Sequence, residues 1–354
     1  MKKRIIGLDI LRVIGVIFIF CYHFTVDYIY RGNGTDSLMP GINYFFNVMA
    51  RPASLFLFII SGYALMYNKE DTISLKQYYL KRFKGLYIPF YVAYTLMTCL
   101  YFFVNNGITA SFVQPWKFIY TILGIDGMMF QVEANFYLIG EWFMSCIVIC
   151  YAVYPLLAWL LKKAKFITLA VLLIISNVML FVYNPFQINV LMNPLFVLVY
   201  FYIGMLMHET IGTKQIPTWT KWVCLVITVL IWGHYLVQGF APESALFMLS
   251  AEAGEIAFAI WSIAMIIGLR DVTLKEDGRM YAAVAYISKI SWCVILVHHA
   301  LIGLFFSTRD VQGYTSKDLF VAFIMMLLLS WGGAELVIKL SAKVNAFLFP
   351  KKAK

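Results

Sequence analysis

Charge is scarce in this chain. Asp, Glu, Lys and Arg together make up 13% of its 354 residues, while 62% belong to the hydrophobic set. Soluble domains carry about 25% charged and about 45–50% apolar residues. An apolar excess of this size on a water-facing surface would aggregate. Long polar stretches are also missing, which leaves no room for a separate soluble domain. The six cysteines, Cys21, Cys99, Cys146, Cys150, Cys224 and Cys293, all lie inside apolar runs. Their spacing fits neither a disulfide framework nor a zinc site, so no metal is expected. They read as small buried hydrophobes. No internal repeat and no low-complexity tract is found. No small-x-small cleavage site follows the first apolar run, so Lys2, Lys3 and Arg4 introduce a retained span and not a removable signal.

What is abundant is long apolar sequence. A span needs about 20 mostly apolar residues, and ten such stretches are marked: 5–26, 41–66, 85–104, 135–161, 166–183, 192–208, 221–238, 246–268, 284–306 and 319–341. The expected fold is an all-α, polytopic membrane bundle forming one membrane-embedded domain over residues 1–354. The longest connection, 105–134, contains a candidate interfacial helix at 116–124. With the N-terminus in the cytoplasm, 22 of the 28 Lys and Arg residues fall on the cytoplasmic side, counting Lys221, Lys289 and Lys339 at the cytoplasmic ends of spans, four fall on the other side, and Arg12 and Arg51 lie deeper within spans. That asymmetry is what the positive-inside rule demands and places both termini in the cytoplasm. The net charge of +10 is thus explained by topology. Nucleic acid is not an expected partner, because the compact basic module it needs is missing.

Ionisable groups inside spans are costly and mark function by default. Span one holds Asp9, Arg12 and His23. Arg12 and His23 are eleven residues apart, close to three helical turns, so they face the same way about 16 Å apart. Asp27, one turn beyond His23, can share its face and orient the imidazole. A local i,i+3 pair of Asp9 with Arg12 accounts for those two residues equally well. Arg51 sits near the middle of span two, where its stem cannot easily reach water. It requires a polar cavity, a bound anion or a carboxylate, with Glu141, Glu252 and Glu255 as candidates. Ser61-Gly62 in the same span permits close approach of another backbone. Lys81, Arg82 and Lys84 precede span three; lipid contact explains them, and so does a phosphate-binding entrance. Glu141 opens span four at the depth of His23. Span nine carries Ser291 and, seven residues on, His298, followed by His299; a lone His in a helix is more often hydrogen-bonded structure than a catalyst.

Taken in order, these pieces resemble the acyltransferase-3 family of multi-spanning membrane acyltransferases. The matching pieces are Leu8-Asp9-Ile10-Leu11-Arg12 with His23; Arg51 with Phe56 and Ser61-Gly62-Tyr63; Lys81-Arg82 with Pro89; Trp142-Phe143 with Pro155; and Ser291 with His298. The resemblance implies a ten-helix fold that moves an acyl group, commonly acetyl from cytoplasmic acetyl-CoA, to a hydroxyl of a cell-envelope glycan or its lipid-linked precursor. It maps the family's essential histidine onto His23 and its span-one arginine onto Arg12. Its basic residues after span two map onto Arg82 and Lys84. The expected catalytic set is therefore His23, Asp27, Glu141 and Arg51. The expected acyl-CoA contacts are Arg12, Lys81, Arg82 and Lys84. The expected location is the plasma membrane. A transporter or flippase for a lipid-linked glycan or small anion is the rival reading, and a non-catalytic membrane scaffold a further one.

Overall fold

The structure, a computed structural model, describes residues 4–31, 40–107, 110–184, 186–245 and 247–350, with the side chains of 31, 40–42 and 141 outside that description. The described residues contain no strand. The helices are α1 (Ile6–Arg31), α2 (Pro40–Tyr67), α3 (Leu75–Arg82), α4 (Ile88–Val104), α5 (Phe118–Leu123), α6 (Asp126–Met129), α7 (Glu141–Phe181), α8 (Pro194–Ile211), α9 (Thr218–Phe240), α10 (Ala251–Arg270), α11 (Arg279–Ser307) and α12 (Ser316–Leu348). A π-helical segment, Phe83–Tyr87, joins α3 to α4.

Nine helices among the described residues are long and apolar enough to cross a membrane. The longest, α7, breaks at Ala164 (φ −148°, ψ 44°) within Lys162-Lys163-Ala164-Lys165 and holds two of the ten predicted spans. The fourth predicted span starts late: residues 135–140 are not helical, and α7 begins after Gly140. Gly140 has a φ of +82°, a left-handed turn that glycine adopts without strain.

Helices α2 and α11 form the centre, with α1 packed against both. Helix α8 packs on α2 and α7, α10 on α9, and α12 on α11. One close crossing joins α2 to α8. A Cβ on Gly62 would overlap the carbonyl oxygen of Phe201, and a Cβ on Gly204 would overlap that of Ile59. Two glycines thus let two backbones touch reciprocally, as small residues do in membrane bundles. Peripheral helices turn large apolar side chains outward, including Trp222 and Leu230 of α9, Ile167 and Ile174 of α7 and Leu328 of α12. Hydrocarbon is the solvent that such a surface matches.

The connection between α4 and α7 is ordered by its own polar groups. The predicted interfacial helix at 116–124 is a 3₁₀ turn (Pro115–Lys117) followed by α5, with Trp116, Ile119 and Ile122 exposed. Glu133 accepts from Tyr120 and pairs with Lys117 at 2.8 Å. These two contacts, Lys117 first, hold its carboxyl below the usual value. Met128 N donates to Ser145 Oγ, which ties α6 to α7. Asp126 is buried and accepts from Thr121 Oγ1 and Gly127 N, each at 3.0 Å. Burial pushes its carboxyl up to about 7 despite those bonds.

Candidate functional site

The site has two halves. The first lies where α1 begins, at the end of the bundle carrying most of the basic residues. Asp9 is buried and gathers three donors: Arg4 Nε, Arg12 at 2.8 Å and Ser288 Oγ at 2.5 Å. The local Asp9–Arg12 pair weighed from sequence therefore forms, yet Arg12 still lines a cavity of about 280 Å³. Lys81 and Arg82 line the same cavity, with Ser61, Asn68 and Tyr151. Buried Glu70 holds both cations, Lys81 closely and Arg82 at 3.5 Å. The Arg82 guanidinium also lies 5.5 Å from the ring centre of Tyr151 and 5.8 Å from that of Tyr78, a cation–π geometry. Asp9 balances one of Arg4 and Arg12, and Glu70 one of Lys81 and Arg82. Two positive charges are left over, and polyanionic phosphates are suited to such a surface.

The π-helical segment begins directly after Arg82 and contributes Gly85 to this wall. Such segments occur often at functional sites. Lys84 behaves differently. Its ammonium lies 4.0 Å from the ring centre of Phe349, and it is not part of the cavity wall. Of the three basic residues grouped from sequence, Lys81 and Arg82 line this cavity, and Lys84 lies against Phe349.

The second half surrounds His23, further along α1. The His23 ring lies 4.6 Å from that of His299, 5.1 Å from that of His298 and 4.8 Å from that of Tyr22, centre to centre. Buried Asp27 places Oδ2 3.7 Å from Nε2 of His299. His298 Nδ1 lies 3.0 Å from the carbonyl of Val294 and 3.1 Å from that of Ile295, so this nitrogen carries the proton and donates. Its backbone bonding fits the structural role expected for it, while its ring still packs against His23. Among the described residues no group of His, Cys, Asp and Glu is arranged to hold a metal.

His23 and Arg51 line a second cavity of about 210 Å³, together with Asn47, Ser54 and Trp142. Arg51 is not a free cation waiting for an anion. Its Nε donates to Glu255 Oε2 at 2.8 Å, one terminal nitrogen to Oε1 at 2.6 Å, and the other to the carbonyl of Leu191 at 2.9 Å. Tyr200 donates to the same carboxylate at 3.1 Å. Of the carboxylates considered from sequence, Glu255 is thus the one α10 delivers. Glu141 opens α7, but its side chain lies outside the described residues.

The two cavities are stacked along the bundle. On α1, Arg12 belongs to the first and Ile19, Tyr22 and His23 to the second; on α2, residues from Leu57 to Leu65 line the first, with Asn68 just past its end, and residues from Asn47 to Ser54 line the second. Phe143 and Ile295 belong to both walls. Glu70, Ser288 and His299 were not singled out from sequence. Glu70 and Ser288 lie in stretches with no distinguishing pattern, whereas His299 had a signal in its adjacency to His298.

Residues 5–335 match the family model described as an acyltransferase domain of the acyltransferase-3 type. No curated protein and no solved structure matches the chain. A match over nearly the whole chain, on a bundle whose intramembrane Arg12 and His23 open onto stacked cavities, identifies this protein as a multi-pass membrane acyltransferase of the acyltransferase-3 family.

Proposed function

We propose that the protein transfers an acyl group, acetyl in the simplest case, from cytoplasmic acetyl-CoA to a hydroxyl of a cell-envelope glycan or its lipid-linked precursor in the plasma membrane. The observation that carries this reading is the stacking of a cation-lined cavity on a His23-lined one in a single helix bundle. Arg12, Lys81 and Arg82 hold the phosphates of the donor, and the pantetheine arm runs toward His23. The acceptor enters from the opposite end, against Asn47, Tyr22 and Trp142.

The acceptor oxygen attacks the thioester carbonyl carbon while His23 takes its proton. The C–S bond then breaks, and the departing CoA thiolate is protonated to the thiol. General-base help of this kind is worth about 10²–10⁴ in rate. Asp27 and His299 keep the imidazole oriented and offset its positive charge. Arg51, neutralised by Glu255, shapes the second cavity and directs its remaining N–H bonds toward developing oxyanion charge. An acyl-imidazole on His23 is the two-step variant of the same chemistry.

Membership of an acyltransferase family favours an enzyme over the transporter or flippase reading. The test is consumption of donor. Membranes containing the full chain and their native glycans release CoA from acetyl-CoA and gain ester-linked label. Membranes with His23→Ala at equal abundance do neither. Label appearing on the far side without CoA release would point to transport. Label trapped on His23 when acceptor is withheld would favour the two-step route.

A further inference from the structure

Among the described residues only Phe143 and Ile295 are shared by the two cavity walls, and the order of residues along α1 and α2 sets the cavities on opposite sides of that pair. Phe143 is 7% exposed and Ile295 5%. Both pack into the buried core. Phe143 stands in the first turn of α7, with fully buried Phe58 behind it at 4.6 Å between ring centres and a 38° tilt, and Trp292 at 6.5 Å. Ile295 sits on α11, one of the most buried helices, and its carbonyl accepts from His298 Nδ1. The pair is thus an apolar piece of wall common to both cavities.

Resting on the function proposed above, we infer that Phe143 and Ile295 form the neck the acyl group must enter, and that the width of this neck selects short acyl chains. The logic is one of sequence in space. A donor anchored by its phosphates among Arg12, Lys81 and Arg82 presents its thioester at the far tip of its arm, so the acyl group leads. To bring the carbonyl carbon within reach of His23, everything beyond that carbon must fit at or past the neck. Beyond it lies only the 210 Å³ cavity that the acceptor hydroxyl also occupies. An acetyl methyl fits between an aromatic ring and a sec-butyl side chain. Each further methylene competes with Phe143, Ile295 or the acceptor. The neck also parts the donor side from the acceptor side when neither substrate is bound, which keeps the thioester from bulk water.

The inference is tested on the full-length protein in membranes that carry its own acceptor. Acetyl-CoA, butyryl-CoA and hexanoyl-CoA are supplied in turn, and both CoA release and ester-linked label are measured. Ile295→Ala and, independently, Phe143→Leu are expected to raise the butyryl-to-acetyl ratio of kcat/KM by roughly tenfold or more, the range that one or two methylenes command in an apolar pocket. Ile295→Phe is expected to lower it. Two separate widening variants guard against one failing to fold, and a ratio taken within each variant cancels differences in abundance. A wild-type protein that consumes acetyl-CoA alongside widened variants of unchanged chain-length preference would overturn the neck and leave the acyltransferase reading standing. A wild-type protein that consumes none of the three donors would remove the CoA-dependent reading and the neck with it.

Discussion

Arg51 of α2 and Glu255 of α10 meet in a two-pronged pair, with N–O distances of 2.8 and 2.6 Å, inside the wall of the His23 cavity. Removing one member strands the other as a buried charge, at a cost of about 3–5 kcal/mol. Glu255→Ala is therefore expected to lower membrane abundance and thermal stability sharply. The double variant Arg51→Met with Glu255→Leu, which removes both charges, should recover much of the folding. Transfer activity of the folded double variant separates the two uses of the pair. Restored abundance without activity assigns chemistry to Arg51; restored activity would leave it a structural strut.

His23→Ala is expected to reduce transfer by about 10²–10⁴-fold at unchanged abundance. His299→Gln, which loses the partner 3.7 Å from Asp27, should reduce kcat less and leave the donor KM near its wild-type value. It should also change the pH–rate profile, because it alters the surroundings of His23 and not the reacting group itself. A pH profile that superposes on the wild type would argue that His299 is packing alone.

Lys81, Arg82 and Lys84 are close in sequence and unequal in space. Arg82→Ala should raise the KM for acetyl-CoA by roughly tenfold, the equivalent of about 1.4 kcal/mol. Lys84→Ala, whose ammonium lies over Phe349, should leave that KM within about twofold, as expected of a group with no donor contact. Equal effects at both positions would mean that lipid-side electrostatics, and not the cavity, govern donor binding.

Gly204→Ala places a methyl against the backbone of Ile59, and Gly62→Ala against that of Phe201. Each should destabilise the bundle by about 1–3 kcal/mol, the usual cost of overpacking. The effect would be read as a lower thermal midpoint in detergent. Gly85→Ala is the control, since its Cβ would meet nothing within 4 Å.

Asp126 links stability to pH. Its carboxyl is raised to about 7 in the folded chain, against about 4 in an unfolded one. Between those values the folded state holds a proton that the unfolded state has released. Stability from this group is thus complete below about pH 4 and is lost as pH rises through about 7. The thermal midpoint should fall from about pH 5 to about pH 8 and then level off. Asp126→Asn, which has no carboxyl to titrate, should flatten that part of the curve. A wild-type slope that survives in Asp126→Asn would assign the titration elsewhere.

Much of this was legible in the sequence because lipid enforces simple rules. Apolar length gave the spans, and even the two halves of α7 were separable, since three lysines around Ala164 mark a return to water. The three-turn spacing of Arg12 and His23 put both on the cavity side of α1, because a helix fixes direction from spacing alone. Gly62 signalled close packing, although its reciprocal partner, Gly204, did not stand out among other small residues. What escaped was pairing over long sequence distance. Nothing near Glu70 announces that it will fold back under Lys81 and Arg82, and nothing near Glu255 selects it over Glu252 as the partner of Arg51. Nor does the sequence show that Lys84, inside the π segment, lies against Phe349 and not on the wall that Lys81 and Arg82 line. Those outcomes depend on which helices become neighbours, a property of the bundle and not of any one stretch.

Helix α2 contributes to both chambers and is interlocked with α8 at Gly62 and Gly204. The spacing between the two reaction compartments is therefore ruled into a single helix. The stride a donor has to make is thereby set by the α2–α8 pair. New acceptors can be recruited by redecorating the rim, while the span from anchor to imidazole stays under the same ruler.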